Sequence, residues 1–314
     1  MVVKKIRYEN ICFFINCDNE YLYSALEELL FTKQININAD TMEIEISNYT
    51  INVRKKDYKK RNNGNLIIKK EEAEIFQKLN HFDIVYEDKN IELIAKHIMR
   101  FIRELLVTNI QERKVYLHAG CVEYYQKGIL IIGDKFSGKT TTILNLLSTG
   151  KFDYVSNDKV FINGNNISSL PMSMGVRYGT LSKNKAFIRI FNIKEAEYSL
   201  YEKNSRVFLS PLKIMDCLNV ELKFQSKLSY VLAPKYDSEI TKVKYEKTMI
   251  SIKSLVEKTR IDNGKSKFYP DLDIEKSQLT DLKEEIYIPQ IIISYNENLV
   301  REFTEVIYNW LAEV

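Results

Sequence analysis

From Gly133 to Thr140 the chain reads GDKFSGKT, which puts Gly133, Gly138, Lys139 and Thr140 at the spacing of a phosphate-binding loop. A polyphosphate needs many hydrogen-bond donors inside a small radius, and a short glycine-bounded loop supplies them from its backbone. The N–H groups around Asp134, Lys135, Phe136 and Ser137 would form a concave nest, and a helix opening at Lys139 would add its partial positive charge. Gly138 lets the backbone come close, and Thr141 follows in the first helical turn. Lys139 can reach the β- and γ-phosphates of a nucleotide, and the Thr140 hydroxyl can ligate Mg2+. The chemistry expected of this stretch is the holding of a nucleotide with Mg2+.

Two residues outside the loop could act on what it holds. Asp158 lies 19 residues beyond Lys139, room for one helix and a short turn, and its carboxylate could hold the metal or its waters together with Thr140. The competing reading is that Asp158 merely starts a turn. His118, upstream, could bring an imidazole to the γ-phosphate, although a strand histidine taken alone is more often structural. Arg177 (in SMGVRYG) and Lys235 (in APKYD) are candidate cations near the phosphates, each with a plain surface charge as its alternative.

Those groups meet only if particular elements hold them. GILIIG predicts a buried strand running into the loop, and TTTILNLL predicts the helix behind it. DYVSND predicts a strand ending at Asp158 and neighbouring the loop strand, so that both end at one edge of a sheet. VYLHAGCVEYYQKGILIIG predicts a hairpin with its turn near Gln126-Lys127-Gly128 and His118 at the outer end of the first arm. Further strand-like runs are VSNDKVFI, MGVRYGT, RVFLSP and KLSYVLAP. Residues 236 to 280, rich in lysine, predict helix and loop, with SIKSLVEKTR the best helix, and YIPQIIISY predicts a buried strand. In the tail, Leu299, Val300, Phe303, Val306, Ile307, Trp310 and Leu311 share one helical face, which packs on the body or forms a dimer contact in a homo-oligomer.

Residues 1–92 predict a separate mixed α/β accessory domain. Ser24 and Glu27 suggest a capping box opening a helix, and TMEIEI with YTINV suggests a hairpin about a Ser47-Asn48 turn. The basic run RKKDYKKRNNG predicts a solvated loop. The helical pattern of IELIAKHIMRFIRELLV opens the second domain, 93–314, and feeds into VYLHAGCVEY. His81 and His97 read as ordinary surface or boundary residues.

Composition narrows the function classes. A hydrophobic fraction of 45% with 28% charged residues and 20 Tyr describes a globular chain rather than a disordered one. The net charge of +4 is too small and too dispersed to call for nucleic acid. Cys12, Cys17, Cys121 and Cys217 show no metal-like spacing and read as reduced thiols of a cytoplasmic protein. No signal peptide and no membrane-spanning run is expected.

The stretch HAGCVEYYQKGILIIGDKFSGKTTTILNLLSTGKFDYVSNDKV resembles the catalytic core of the HPr kinase/phosphorylase family and its HPr-kinase-like relatives. The likeness lies in His118-x-Gly120-x-Val122, the phosphate loop, the Leu-Leu-x-x-Gly helix end and the strand ending at Asp158. It implies a PEP carboxykinase-like phosphate-loop fold, a mixed sheet flanked by helices. It also implies a kinase that uses ATP and Mg2+ to phosphorylate a serine hydroxyl. The family carries Ala-Asp-Asp where this chain has Ser156-Asn157-Asp158, with one acid as base and the other on the metal. An amide cannot accept a proton at pH 7. Three readings stay open: Asp158 helped by His118 is the base, the transfer needs little base catalysis, or the chain binds nucleotide without transfer. The family's second glycine-rich signature and its N-terminal region are not recognisable. The acceptor implied is therefore a peptide or small protein, such as a ribosomal peptide precursor, rather than HPr, with a small-molecule kinase as a further alternative.

Overall fold

The computed structural model describes residues 2–8, 11–29, 47–57, 64–69, 73–87, 91–111, 114–169, 172–193, 206–259 and 286–313. They form two units, divided between Glu112 and Arg113. The division falls past the predicted boundary at residue 92, because the long helix packs with the N-terminal elements rather than opening the second unit.

The first unit is a mixed six-stranded sheet with two helices. Its strands are β1 (Val2–Tyr8), β2 (Ile11–Cys17), β3 (Ser47–Lys55), β4 (Asn65–Lys69), β5 (Ala73–Lys78) and β6 (His81–Tyr86), in the order β1-β2-β3-β6-β5-β4. Strand β3 runs parallel to both β2 and β6. Ser47 and Asn48 are thus strand residues and not a hairpin turn, while TMEIEI lies outside the described residues. Helix α1 (Glu20–Leu29) is capped by Asn19, whose side chain accepts from the Leu22 N–H at 3.0 Å. The cap therefore comes five residues before Ser24. Helix α2 (Ile91–Gln111) packs on α1 and meets β6 through an edge-on Phe82–Phe101 contact at 4.9 Å. On the other face of the sheet, Asn16, Asn52 and Asp83 bond one another across three parallel strands.

The second unit carries the phosphate loop. Its strands are β7 (Val115–Leu117), β8 (Gly120–Tyr124), β9 (Lys127–Ile131), β10 (Asp153–Ser156), β11 (Val160–Asn163), β12 (Asn166–Ser169), β13 (Met174–Arg177), β14 (Arg206–Leu209), β15 (Gln225–Tyr236), β16 (Lys244–Ser251) and β17 (Tyr287–Tyr295). Its helices are α3 (Lys139–Leu147), α4 (Tyr178–Lys183), α5 (Lys185–Ile190), α6 (Pro211–Leu218), α7 (Ile252–Thr259) and α8 (Val300–Glu313). The main sheet runs β10-β8-β9-β15, and the far edge of β15 is shared by β12 and β17. Strands β11 and β7 follow β12, β16 follows β17, and β13 with β14 forms a separate ladder.

Strands β8 and β9 are buried on both faces, which is why their sequence is apolar without alternation. Ile129 and Ile131 face a core containing Leu144, Leu147 and Trp310. Leu130 and Ile132 face the opposite core, with Val160, Leu255 and Val256. Three expectations change here. The hairpin turns at Tyr125-Gln126, both at positive φ as a two-residue hairpin favours, so Lys127 and Gly128 already belong to β9. VYLHAGCVEY is two strands, broken at His118-Ala119, with β7 paired to β11 and β8 to β9 and β10. Residues 244–251 are strand rather than helix or loop, antiparallel to β17. The tail helix lays Phe303, Ile307, Trp310 and Leu311 into the core of its own unit, with Trp310 edge-on to Tyr230 at 5.2 Å. Among the described residues, no helix is long and apolar enough to cross a membrane.

Candidate active site

The loop between β9 and α3 is shaped by three left-handed residues. Gly133 (φ 144°) and Gly138 (φ 95°) are the glycines of the motif, and a Cβ on Gly133 would lie 2.6 Å from the Ser137 hydroxyl. Phe136 also has positive φ (75°), a conformation unfavourable for a bulky residue, and its ring is exposed. The Ser137 carbonyl accepts from the Tyr236 N–H at 3.1 Å, which ties the loop to the end of β15. Lys139 is buried at the helix start, its ammonium donating to the carbonyls of Gly133 (2.5 Å) and Asp134 (3.1 Å). Burial lowers its pKa, Asp158 and Asp134 raise it, and Arg177 lowers it again. One turn on, the Thr142 hydroxyl is bonded to the buried Tyr295 hydroxyl at 2.8 Å, which fixes α3 against β17.

Asp158 reaches the same place by a route the sequence did not show. Strand β10 stops at Ser156, and Asn157-Asp158 form a bend closed by the Ser156 hydroxyl on the Lys159 carbonyl (2.7 Å). Strand β10 does not neighbour β9, because β8 lies between them, antiparallel to both. The two outer strands of that trio are parallel, so Asp158 and the loop still share one edge of the sheet. Gly120 makes this approach possible: a Cβ there would lie 2.7 Å from the Asn157 carbonyl oxygen and 2.4 Å from Ile143.

His118, at the β7–β8 break, meets Asp158. Its Nδ1 lies 3.2 Å from Asp158 Oδ1, and its backbone N–H donates to the Thr259 carbonyl at the end of α7. Burial lowers the imidazole pKa first, Asp158 raises it, and Lys139 and Lys159 lower it. A lowered pKa favours the neutral ring, and with Nδ1 on the Asp158 side Nε2 is the other nitrogen available to accept a proton. Asn157 behaves differently from its neighbour. Its Oδ1 is buried without a hydrogen-bond partner, and its backbone bonds the Tyr154 hydroxyl.

Arg177 ends β13 with its guanidinium 4.0 Å from the centre of the Phe136 ring. Burial and Arg206 lower its pKa, while Asp158 raises it. It thus faces the same carboxylate as Lys139 and His118. Lys135 also approaches the Phe136 ring, at 5.2 Å. Thr141 meets Thr180 of α4 at 3.2 Å, and Thr140 is half-buried in the first turn of α3. Lys235 is exposed, and no described contact joins it to this cluster.

Two features went unread in the sequence. Arg206 stands directly opposite Arg177 in the β13–β14 ladder, a register that nothing local encodes. On the β15 side of the loop, Tyr236 donates to Glu297 at 2.5 Å and is bonded to Lys183. The bond to Tyr236 and the nearby Glu297 raise the Lys183 pKa, and the bond from Tyr236 lowers that of Glu297.

The residues present suit a magnesium nucleotide. The loop leaves a cradle that a Cβ at Gly133 would fill, the buried Ser137 hydroxyl has no partner among the described residues, and one buried ammonium heads the helix. Among the described residues no group of three His, Cys, Asp or Glu is placed to hold a metal. Mg2+ ordinarily binds through one or two carboxylates together with substrate phosphates and water, so Asp158 and Thr140 are a sufficient protein share.

No protein-family model matches the chain, and no curated protein matches it. Among solved structures it is similar to the HPr(Ser) kinase/phosphatase from Coxiella burnetii, at 14% identity, covering 62% of this chain and 98% of that one, with a TM-score of 0.28. So slight a likeness carries no argument, and the chemistry of the site stands on its own residues.

Proposed function

We propose that this chain is an ATP- and Mg2+-dependent phosphotransferase that moves the γ-phosphoryl group onto a serine hydroxyl of a peptide or small protein. The observation that carries it is the 3.2 Å His118–Asp158 pair set within the field of Lys139 and Arg177. A binding protein needs the loop and the lysine; it has no use for a neutral imidazole backed by a carboxylate beside them. A bound magnesium nucleotide would supply the phosphoryl group together with positive charge beside its oxygens. The loop amides and Lys139 would hold the β- and γ-phosphates, Thr140 and Asp158 would hold the metal, and Arg177 would offset negative charge at the transferring group. His118 Nε2 takes the acceptor's hydroxyl proton, and Asp158 orients the ring and stabilises the imidazolium.

The test is incubation with γ-labelled ATP, Mg2+ and a pool of serine-containing peptides. Label should pass to peptide serine, Lys139→Ala should abolish nucleotide binding or turnover, and His118→Ala should slow transfer while sparing binding. Asn157, where the resemblance places an acid, favours a second reading, nucleotide binding without transfer. ATP bound tightly with no label on any peptide, and none restored by Asn157→Asp, would establish that reading. Label in free hydroxy amino acids rather than peptides would make the chain a small-molecule kinase.

A further inference from the structure

The β13–β14 ladder sets Arg177 and Arg206 directly across from each other. Like charges at opposed strand positions destabilise a sheet, and a two-stranded ladder has little stability to spare. Among the described residues no ion pair joins Arg206 to a carboxylate. The one carboxylate that Arg177 faces, Asp158, is shared with His118 and Lys139. The arrangement is nevertheless built rather than incidental. Gly175 leaves room for the Arg206 stem, and a Cβ there would lie 3.1 Å from Arg206 Cδ and 3.4 Å from Nη1. Arg177 is held to the phosphate loop by the Phe136 ring, whereas Arg206 is exposed one strand further out.

Two arginines paired across a ladder, one of them with no ion pair among the described residues, can act as an anion clamp, since each presents a planar fork to carboxylate or phosphate oxygens. Resting on the phosphotransferase reading, we propose that Arg206, with Arg177, forms a second anion subsite beside the γ-phosphate position, and that the acceptor peptide carries an acidic side chain next to its hydroxyl. Arg177 then serves both the transferring group and the acceptor's anion. Arg206 serves the acceptor alone and determines specificity.

The experiment first fills the nucleotide site with Mg2+ and a non-hydrolysable ATP analogue, so that the γ-position is taken. Inorganic phosphate is then titrated by calorimetry at matched ionic strength. Wild type should bind phosphate, and Arg206→Gln should weaken that binding at least fivefold while the analogue's affinity stays within twofold. Arg206→Lys should fall between them. A second arm compares a serine peptide flanked by Asp with its Asn-flanked counterpart. The Asp form should bind more tightly to wild type, and the preference should vanish in Arg206→Gln. Absence of phosphate binding with the analogue bound, insensitivity to Arg206→Gln, or equal binding of the two peptides overturns the proposal. Failure of the analogue itself to bind would overturn the nucleotide reading and this inference with it, and is distinguished by being seen before any phosphate is added.

Discussion

Gly120→Ala tests how closely strand β8 supports the His118–Asp158 pair. The new methyl would lie 2.4 Å from Ile143 Cδ1 and 2.7 Å from the Asn157 carbonyl oxygen. The isoleucine is the far end of a flexible side chain and can rotate away. The carbonyl belongs to the backbone and must retreat by about 0.7 Å to reach ordinary van der Waals contact. Overpacking of this kind costs about 1–3 kcal/mol, and a unit of this size loses roughly 2–4 °C of Tm per kcal/mol. The expected outcome is a melting transition lower by about 2–12 °C. The displaced residue precedes Asp158, and Gly120 itself follows His118 by two positions, so the 3.2 Å pair is disturbed from both sides. Misplacement by a fraction of an ångström at a reacting group can cost about 10- to 100-fold in rate. Nucleotide affinity, set mainly by the loop, should change little. Scanning fluorimetry and label transfer measure the two effects. Gly179→Ala in α4 is the contrast, because nothing lies within 4 Å of its Cβ position and its backbone is not left-handed, so its melting transition should hold or rise slightly. Equal transitions and equal rates for wild type and Gly120→Ala would refute the close approach of β8 to the Asn157 turn.

The imidazole of His118 can be followed by NMR, because the chain has only 3 His. It should titrate below the ordinary value of 6.5, and Asp158→Asn, which removes the group that raises it, should lower it further; an unchanged titration in the variant would show that the pair is not formed. Since the folded pKa lies below the unfolded one, the unfolded chain takes up the proton first as pH falls. Stability should therefore drop as pH falls through the window just under 6.5, and denaturant titrations of His118→Gln should lack that share of the loss. Tyr295→Phe leaves the buried Thr142 hydroxyl without its 2.8 Å partner and should cost about 1–3 kcal/mol in denaturant unfolding, with the loop's nucleotide affinity weakened through α3.

The loop from Gly133 to Thr140 was legible because its shape is written in local backbone demands: two glycines in left-handed conformation, with a lysine and a hydroxyl at a helix start. The strands β9, β15 and β17 were legible from their apolar runs. Their order was not, because strands buried on both faces carry no mark of which neighbour they pair with. That is why β10 was expected beside β9, when β8 fills that place and sets Asp158 across it. Asp158 and the loop still lie at one edge, since two parallel strands one apart end on the same side of the sheet. The break at His118 was hidden for a related reason: Leu117 and Gly120 belong to different pairings, and only β11, β9 and β10 decide that. Arg206 depends on the same kind of non-local register, one step further from anything a spacing could reveal.

Asn157 is where sequence and geometry part most instructively. By resemblance it stands in the position of a catalytic acid, which made the loss of transfer a serious reading. Its side-chain oxygen, however, lies buried and unpartnered, while its carbonyl packs beneath Gly120 and its backbone bonds Tyr154. Asp158, next in the chain, is the residue that faces His118, Lys139 and Arg177. Asn157 therefore contributes through its backbone, as the hinge of the turn that presents Asp158. At least one oxygen of a carboxylate at 157 would take the buried Oδ1 position without a donor, a placement that disfavours the charged form. Asn157→Asp should accordingly lower the melting temperature at pH 8 more than at pH 5, where the acid can take up a proton, and should not raise the rate of transfer. A gain in rate with no loss of stability would return the catalytic base to position 157 and remove it from the His118–Asp158 pair.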